Sequence, residues 1–142
     1  MSKSPSVMTV LGFDYGTKRI GVAIGQTVTG TANPLETLPA RDGIPHWDQI
    51  EAVIKEWQPQ AFIVGVPRNM DASDSDMTVR AKKFARRLTG RFNLPAHEID
   101  ERLTSREAID RLYELRQLGV KQNQGLDSYA AVLIVESWLA LC

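Results

Sequence analysis

Val10-Leu11-Gly12-Phe13-Asp14-Tyr15-Gly16-Thr17-Lys18-Arg19-Ile20-Gly21-Val22-Ala23-Ile24 is the stretch whose reading decides the fold. Two apolar runs flank a polar turn around Gly16, and Asp14 stands where the first run ends. Gly21 and Gly25 thin out the second run. The pattern predicts a β-hairpin that presents Asp14 at the lip of a central strand. Asp14 has two readings at this point. It can start a turn through local side-chain hydrogen bonds, or it can be a functional acid.

Working outward, Val7 to Phe13 is the first predicted strand and Ile20 to Gly25 the second. Gly30 to Leu38 is the third, with Pro34 as an edge marker. Arg41-Asp42-Gly43 breaks the chain. Trp47, Ile50, Val53, Ile54 and Trp57 recur at helical spacing, and Gln58-Pro59 closes that helix. Both tryptophans are expected in the core. Ala61 to Val66 is an unbroken apolar run, which suits a strand buried on both faces and parallel to the first. A polar loop, 67–76, leads to a second helix from about Asp76 to Thr89, with Gly90 near its end. Leu94 to Ile99 is a fifth strand. Thr104-Ser105-Arg106-Glu107 is a capping box opening a third helix to Gly119, and a last helix starts at Leu126. The expectation is a single α/β domain over 1–142, with a five-stranded mixed sheet flanked by helices. The element order resembles the RNase H-like fold.

Bulk properties narrow the function classes. The composition, 43% hydrophobic and 24% charged, is that of a globular chain. Lys plus Arg and Asp plus Glu are both 17, so nucleic-acid binding has to come from a local patch. The one cysteine, Cys142, is the last residue, which excludes an internal disulfide and fits a reducing compartment. Residues 1–6 are polar and lack the apolar core of a signal peptide, and no segment is long enough to span a bilayer. A cytoplasmic location without membrane partner is expected.

Two further carboxylates join Asp14. Asp100-Glu101-Arg102 follows directly on the fifth strand, at the sheet edge where α/β sites form. Asp127 shares a helix face with Ala130, Ala131, Ile134, Val135 and Trp138, and the alanines allow close approach to the sheet. An N-cap role is the competing reading for Asp127. Carboxylates converging without histidine or cysteine attract a hard cation, Mg²⁺ or Mn²⁺. Two such ions about 3.5–4 Å apart can activate water and stabilise the leaving oxygen of a phosphodiester. The first and fifth strands lie two strand spacings, roughly 10 Å, apart if the fourth runs between them. Glutamate's longer arm helps to bridge that gap, and Gly65 leaves room.

Lys18, Arg19, Arg68 and Asn69 are candidate nucleic-acid contacts, and Arg102 joins them. Arg80, Lys82, Lys83, Arg86, Arg87 and Arg91 follow one another without an intervening acid; they form a solvated face or a phosphate-tracking one. Asp71, Asp74 and Asp76 are spaced for turns and caps, not for a calcium loop. His46 and His97 are isolated and read as surface or packing residues.

Residues 13–23, Val64-Gly65-Val66-Pro67-Arg68-Asn69-Met70-Asp71, Asp100-Glu101-Arg102-Leu103-Thr104-Ser105 and Leu126-Asp127-Ser128-Tyr129-Ala130-Ala131 together resemble the four motifs of the YqgF/RuvX family, in order. The resemblance implies an RNase H-like fold related to Holliday junction resolvases. It also implies a nuclease acting at the 5′ end of pre-16S rRNA during ribosome maturation; the converging acids make a metal-dependent one the expectation, as a monomer or homodimer that can meet the ribosome. By motif, the acidic site is Asp14, Glu101 and Asp127. One departure is Ala72, where the family often has glycine. Three alternatives stand beside this reading: a resolvase of branched DNA using the same acids, a non-catalytic RNA-binding assembly factor, and an actin-like or sugar-kinase-like ATPase. The last needs a second domain for which the chain has no length.

Overall fold

The computed structural model describes residues 8–103, 110, 111, 114, 117 and 126–141. The capping box at Thr104 and most of the third predicted helix lie outside the described residues. The strands are β1 (Thr9–Asp14), β2 (Arg19–Gln26), β3 (Thr31–Pro34), β4 (Leu38–Arg41), β5 (Ile44–Pro45), β6 (Ala61–Val66) and β7 (Ala96–Asp100). The helices are α1 (Trp47–Trp57), α2 (Asp76–Phe92) and α3 (Leu126–Ala140), and a 3₁₀ turn, Glu101–Leu103, follows β7. No helix among the described residues is long and apolar enough to cross a membrane.

The sheet order is β5-β4-β2-β1-β6-β7, with β3 also paired to β2. β1 runs antiparallel to β2 and parallel to β6, and β6 runs parallel to β7. The α/β class and mixed sheet are as expected, but the sheet has seven strands, not five. The third predicted strand divides in two. β3 pairs with Ala23 to Gln26 and β4 with Arg19 and Ile20, so both halves lie along the long β2. Pro34 ends the first half because it has no N–H to give the ladder. Arg41-Asp42-Gly43 turns a further hairpin into β5, with Asp42 at φ 50° and Gly43 at φ 82°. Two successive positive φ values are what a tight hairpin turn needs.

Helix ends show the same local logic. Ser75 and Thr78 form a reciprocal capping box for α2. The helix runs through Gly90 to Phe92 and stops at Asn93, which takes the left-handed conformation. The fifth predicted strand starts two residues late, because Pro95 lies outside the ladder and only its carbonyl accepts, from Phe62 N–H at 2.8 Å. Trp47 packs on the core, whereas Trp57, in the last turn of α1, is 38% exposed, contrary to expectation.

Strand alternation sorts the central strands into two layers. Leu11, Phe13, Ile20, Val22, Phe62 and Val64 face α1 and α2, where they meet Ile50, Ala81, Phe84 and Leu88. Val10, Ala23, Ala61, Ile63 and Ile99 face α3 and meet Ala131, Ile134 and Val135. The α3 side is lined with small residues. A Cβ on Gly12 would lie 2.0 Å from Val135 Cγ2, and one on Gly25 2.5 Å from Val135 Cγ1. One on Gly21 would lie 1.8 Å from the carbonyl oxygen of Asp127. The helix therefore rests almost on the sheet backbone.

Three stability outcomes follow, each read by urea denaturation. Gly21→Ala drives a methyl into the α3 backbone and costs about 3 kcal/mol or more. Gly90→Ala, with nothing within 4 Å of the new Cβ, raises helix propensity and gains about 0.5–1 kcal/mol. Ala72 sits at φ 72° in the loop before α2, so Ala72→Gly relieves a left-handed alanine and gains about 0.5–1 kcal/mol.

Candidate active site

Asp14 is the last residue of β1, and Gly21 is its partner across the hairpin. Phe13 pairs with Val64 on β6, which sets Asp14 level with Gly65. Gly65 in turn pairs with Ile99 on β7, and Glu101 lies two residues further on. Alternation puts Asp14, Gly65 and Glu101 on the α3 side of the sheet. A Cβ on Gly65 would lie 2.9 Å from Glu101 Oε1 and 2.4 Å from Ile134 Cδ1. The expected room at Gly65 is thus filled by the glutamate itself, reaching over β6 toward Asp14.

The Asp14 and Glu101 carboxyl groups lie against each other. Burial pushes the Glu101 carboxyl up from its ordinary range; the Asp14 hydrogen bond offsets part of this, and the nearby Asp100 charge adds to it.

Asp127 lies in the first turn of α3, buried to 9% exposure, and its carbonyl rests on Gly21. The helix includes Leu126, so Asp127 is inside it and the N-cap reading does not apply. Its Oδ2 accepts from Arg19 Nε at 3.1 Å. Ser128 ties the same turn to the sheet: its Oγ accepts from Val22 N–H at 3.2 Å and lies 2.9 Å from Thr37 Oγ1. All three acids are on one face, but Asp127 is turned onto Arg19.

The predicted nucleic-acid contacts divide by environment. Lys18 is exposed in the β1–β2 turn. Arg68 is ion-paired to Asp74 and lies 3.6 Å from Asp100. Arg102 forks onto Asp100 through Nε at 3.0 Å and Nη2 at 2.6 Å. The Arg102 hydrogen bonds hold the Asp100 carboxyl below its usual range against a desolvation penalty. Asn69 Nδ2 donates to Ser73 Oγ at 3.0 Å inside the loop before α2. Asp71 accepts from Ser73 N–H, the turn role expected, whereas Asp74 is ion-paired to Arg68 and Asp76 to Arg80, and the cap of α2 is Ser75. His97 stacks on Trp138 at 5.2 Å, a packing role.

Sequence reasoning missed the part played by Gly12, Gly21 and Gly25. The available signal was their phase: Gly12 shares a strand face with Asp14, and Gly21 with Gly25. It also missed Asp100 as the anchor between two arginines.

The donors fit a hard divalent cation in kind, all being carboxylate oxygens. Among the described residues, however, no three such side chains stand close enough to hold an ion as placed.

The raised Glu101 carboxyl has a stability consequence. Such a group stabilises the fold fully below its unfolded-state pKa, and that contribution is lost as pH rises through the folded-state value. Glu101→Gln keeps the shape and offers Asp14 an N–H donor. In EDTA the variant is expected to melt about 2–5 °C above wild type at pH 8. The gap narrows toward pH 5, as differential scanning calorimetry would show. A gap that widens on acidification would reverse the assignment.

Comparison with known proteins agrees with this architecture. The family described as "RuvX: Holliday junction resolvase" matches residues 8–141. A Pseudomonas fluorescens protein named "Putative pre-16S rRNA nuclease" is 56% identical over 131 residues, covering 92% of this chain and 90% of its own. A protein of the same name from Saccharophagus degradans is 55% identical, covering 92% of each chain. Among solved structures, Thermus thermophilus RuvC with a Holliday junction substrate superposes at TM-score 0.54 with 16% identity, covering 92% of each chain. The fowlpox virus resolvase in complex with junction DNA gives TM-score 0.51 with 14% identity, covering 94% and 98%. At these identities the structural matches speak for the fold alone, which is RNase H-like. By its sequence match from end to end of the described residues, the chain belongs to the RuvX family.

Proposed function

We propose that the chain is a hydrolase that cleaves phosphodiester bonds of precursor 16S rRNA near its 5′ end, in the cytoplasm, with Mg²⁺ or Mn²⁺. Asp14, Glu101 and Asp127 are its acidic residues. The observation that carries the reading is the Asp14–Glu101 pair, closed over Gly65 on the face that also receives Asp127. The names of the relatives support the RNA substrate.

In this reading Asp14 and Glu101 hold the metal and Asp127 completes the set. When bound, the metal supplies an activated water and stabilises the leaving oxygen. The chain's own part is placement. β1 and β7 fix the first two carboxylates on either side of a side-chain-free strand position. Arg19 orients Asp127. Asp100 aligns Arg68 and Arg102 where a phosphate would approach, and exposed Lys18 adds a cation beside Asp14.

A second reading is resolution of four-way DNA junctions, favoured by the family description. One experiment tests both. Wild-type protein and Asp14→Asn are compared on a 16S precursor fragment and on a four-way junction, with Mg²⁺, Mn²⁺ or EDTA. Metal-dependent cleavage of the precursor is expected, falling about 10²-fold or more in the variant. Circular dichroism checks that the variant folds. Equal activity of the two proteins would refute the acidic site, and cleavage of the junction alone would favour the second reading.

A further inference from the structure

The opposite face of the sheet carries a second feature that the acidic site does not use. The chain is neutral overall, yet residues 80–91 hold six of its 17 cationic side chains and no acid. Helix α2 buries Ala81, Phe84, Ala85 and Leu88 against the sheet, which turns Lys83, Arg86, Arg87 and Arg91 to solvent. Arg80, Lys83, Arg87 and Arg91 follow at spacings of three and four, forming one stripe about 16 Å long at the helical rise.

The two ends of the stripe are held in place. Arg80 lies 3.5 Å from both Asp42 and Asp76. The Arg91 guanidinium sits 4.3 Å over the ring of Trp47. Among the described residues, Lys83, Arg86 and Arg87 between them take part in no ion pair. Lys83, Arg86 and Arg87, neighbouring cations with no acid beside them, repel one another, so the arrangement costs stability unless a polyanion meets it.

The upper end opens into a cleft of about 280 Å³. Tyr15, Gly43, Trp47, Arg80, Lys83 and Arg87 are among the residues that line it. Tyr15 donates to the Gly43 carbonyl at 2.8 Å, which fixes the mouth. Its chain neighbour is Asp14. The cleft therefore begins one residue from the acidic site, on the other side of β1. A linear polymer lying at Asp14 can round the end of β1 at Tyr15 and continue along α2.

We propose that the Lys83–Arg86–Arg87 face of α2, entered through the Tyr15–Trp47 cleft, binds the phosphate backbone of a single-stranded nucleic-acid arm flanking the scissile bond. This rests on the nuclease reading for the location of that bond. The contact itself is with phosphates and does not require metal.

The test therefore reads binding in EDTA. Labelled single strands of RNA and DNA of one sequence are titrated with wild type and with Lys83→Gln/Arg86→Gln/Arg87→Gln over a range of salt concentrations. All three positions are exposed, and near-ultraviolet circular dichroism confirms the fold. Loss of three phosphate contacts lowers the slope of log K against log salt by about 2 on a single strand. Affinity at low salt falls about 10-fold or more. Lys55→Gln on α1 leaves both unchanged. Equal loss on RNA and DNA assigns the contact to phosphate, and loss on RNA alone adds the 2′-hydroxyl. An unchanged slope overturns the proposal. So does a variant that loses polyglutamate while keeping nucleic acid, which would make the partner an acidic protein. Cleavage in Mn²⁺ is followed in parallel. Retained stripe-dependent binding without cleavage counts against the nuclease reading alone, and cleavage with an unaltered slope counts against the stripe alone.

Discussion

Helix α3 lies on strands β1, β2 and β6 at positions where those strands carry no side chain. Gly12, Gly21, Gly25 and Gly65 each leave a gap that an atom of α3 or Glu101 occupies. This contact brings apolar burial and site construction together. Val135 enters between Gly12 and Gly25, so the helix gains dispersion contacts with backbone as well as with side chains. The same approach sets the Asp127 carbonyl on Gly21, the residue paired with Asp14. A bulkier residue at any of these points would lift the helix and part the carboxylates.

Electrostatics divide along the sheet. On the α3 side, carboxyl groups are concentrated and partly buried. Burial there pushes the Glu101 carboxyl up, and Arg19 is ion-paired to Asp127. At the strand ends, Asp100 gathers Arg68 and Arg102 into a charged cluster. On the far side, α2 carries cations over a core of Phe13, Phe62, Phe84 and Trp47. The rings of Phe13 and Phe84 meet edge-on at 5.4 Å, a geometry worth about 0.5–1.5 kcal/mol beyond area. A rigid apolar layer thus supports charge on both outer surfaces, and the net charge of zero conceals the division.

Much of this was legible in one dimension. The hairpin around Gly16, the doubly buried strand at 61–66, α1, and the apolar face of α3 follow from period and composition, because strand alternation and helical repeat are local properties. So does the presence of three carboxylates at element ends. Two boundaries escaped for reasons of pairing. Residues 30–38 read as one strand because both halves are β-prone, and their division is set by sharing β2. Trp57 read as core because its spacing fits the α1 stripe. That stripe outlasts the surface it packs on, which leaves the last turn open.

From its sequence alone, this chain specifies an α/β sheet with acids at the ends of β1, β7 and the start of α3, since turn chemistry and periodicity act over a few residues. Which acids meet is a tertiary decision. Asp14 and Glu101 meet because β6 runs between their strands and offers Gly65 at the level of both. Asp127 faces Arg19 because α3 settles on Gly21. These contacts join residues far apart in the chain, as the separation of 108 positions between Arg19 and Asp127 illustrates. No local pattern carries that information; strand order and helix–sheet distance do.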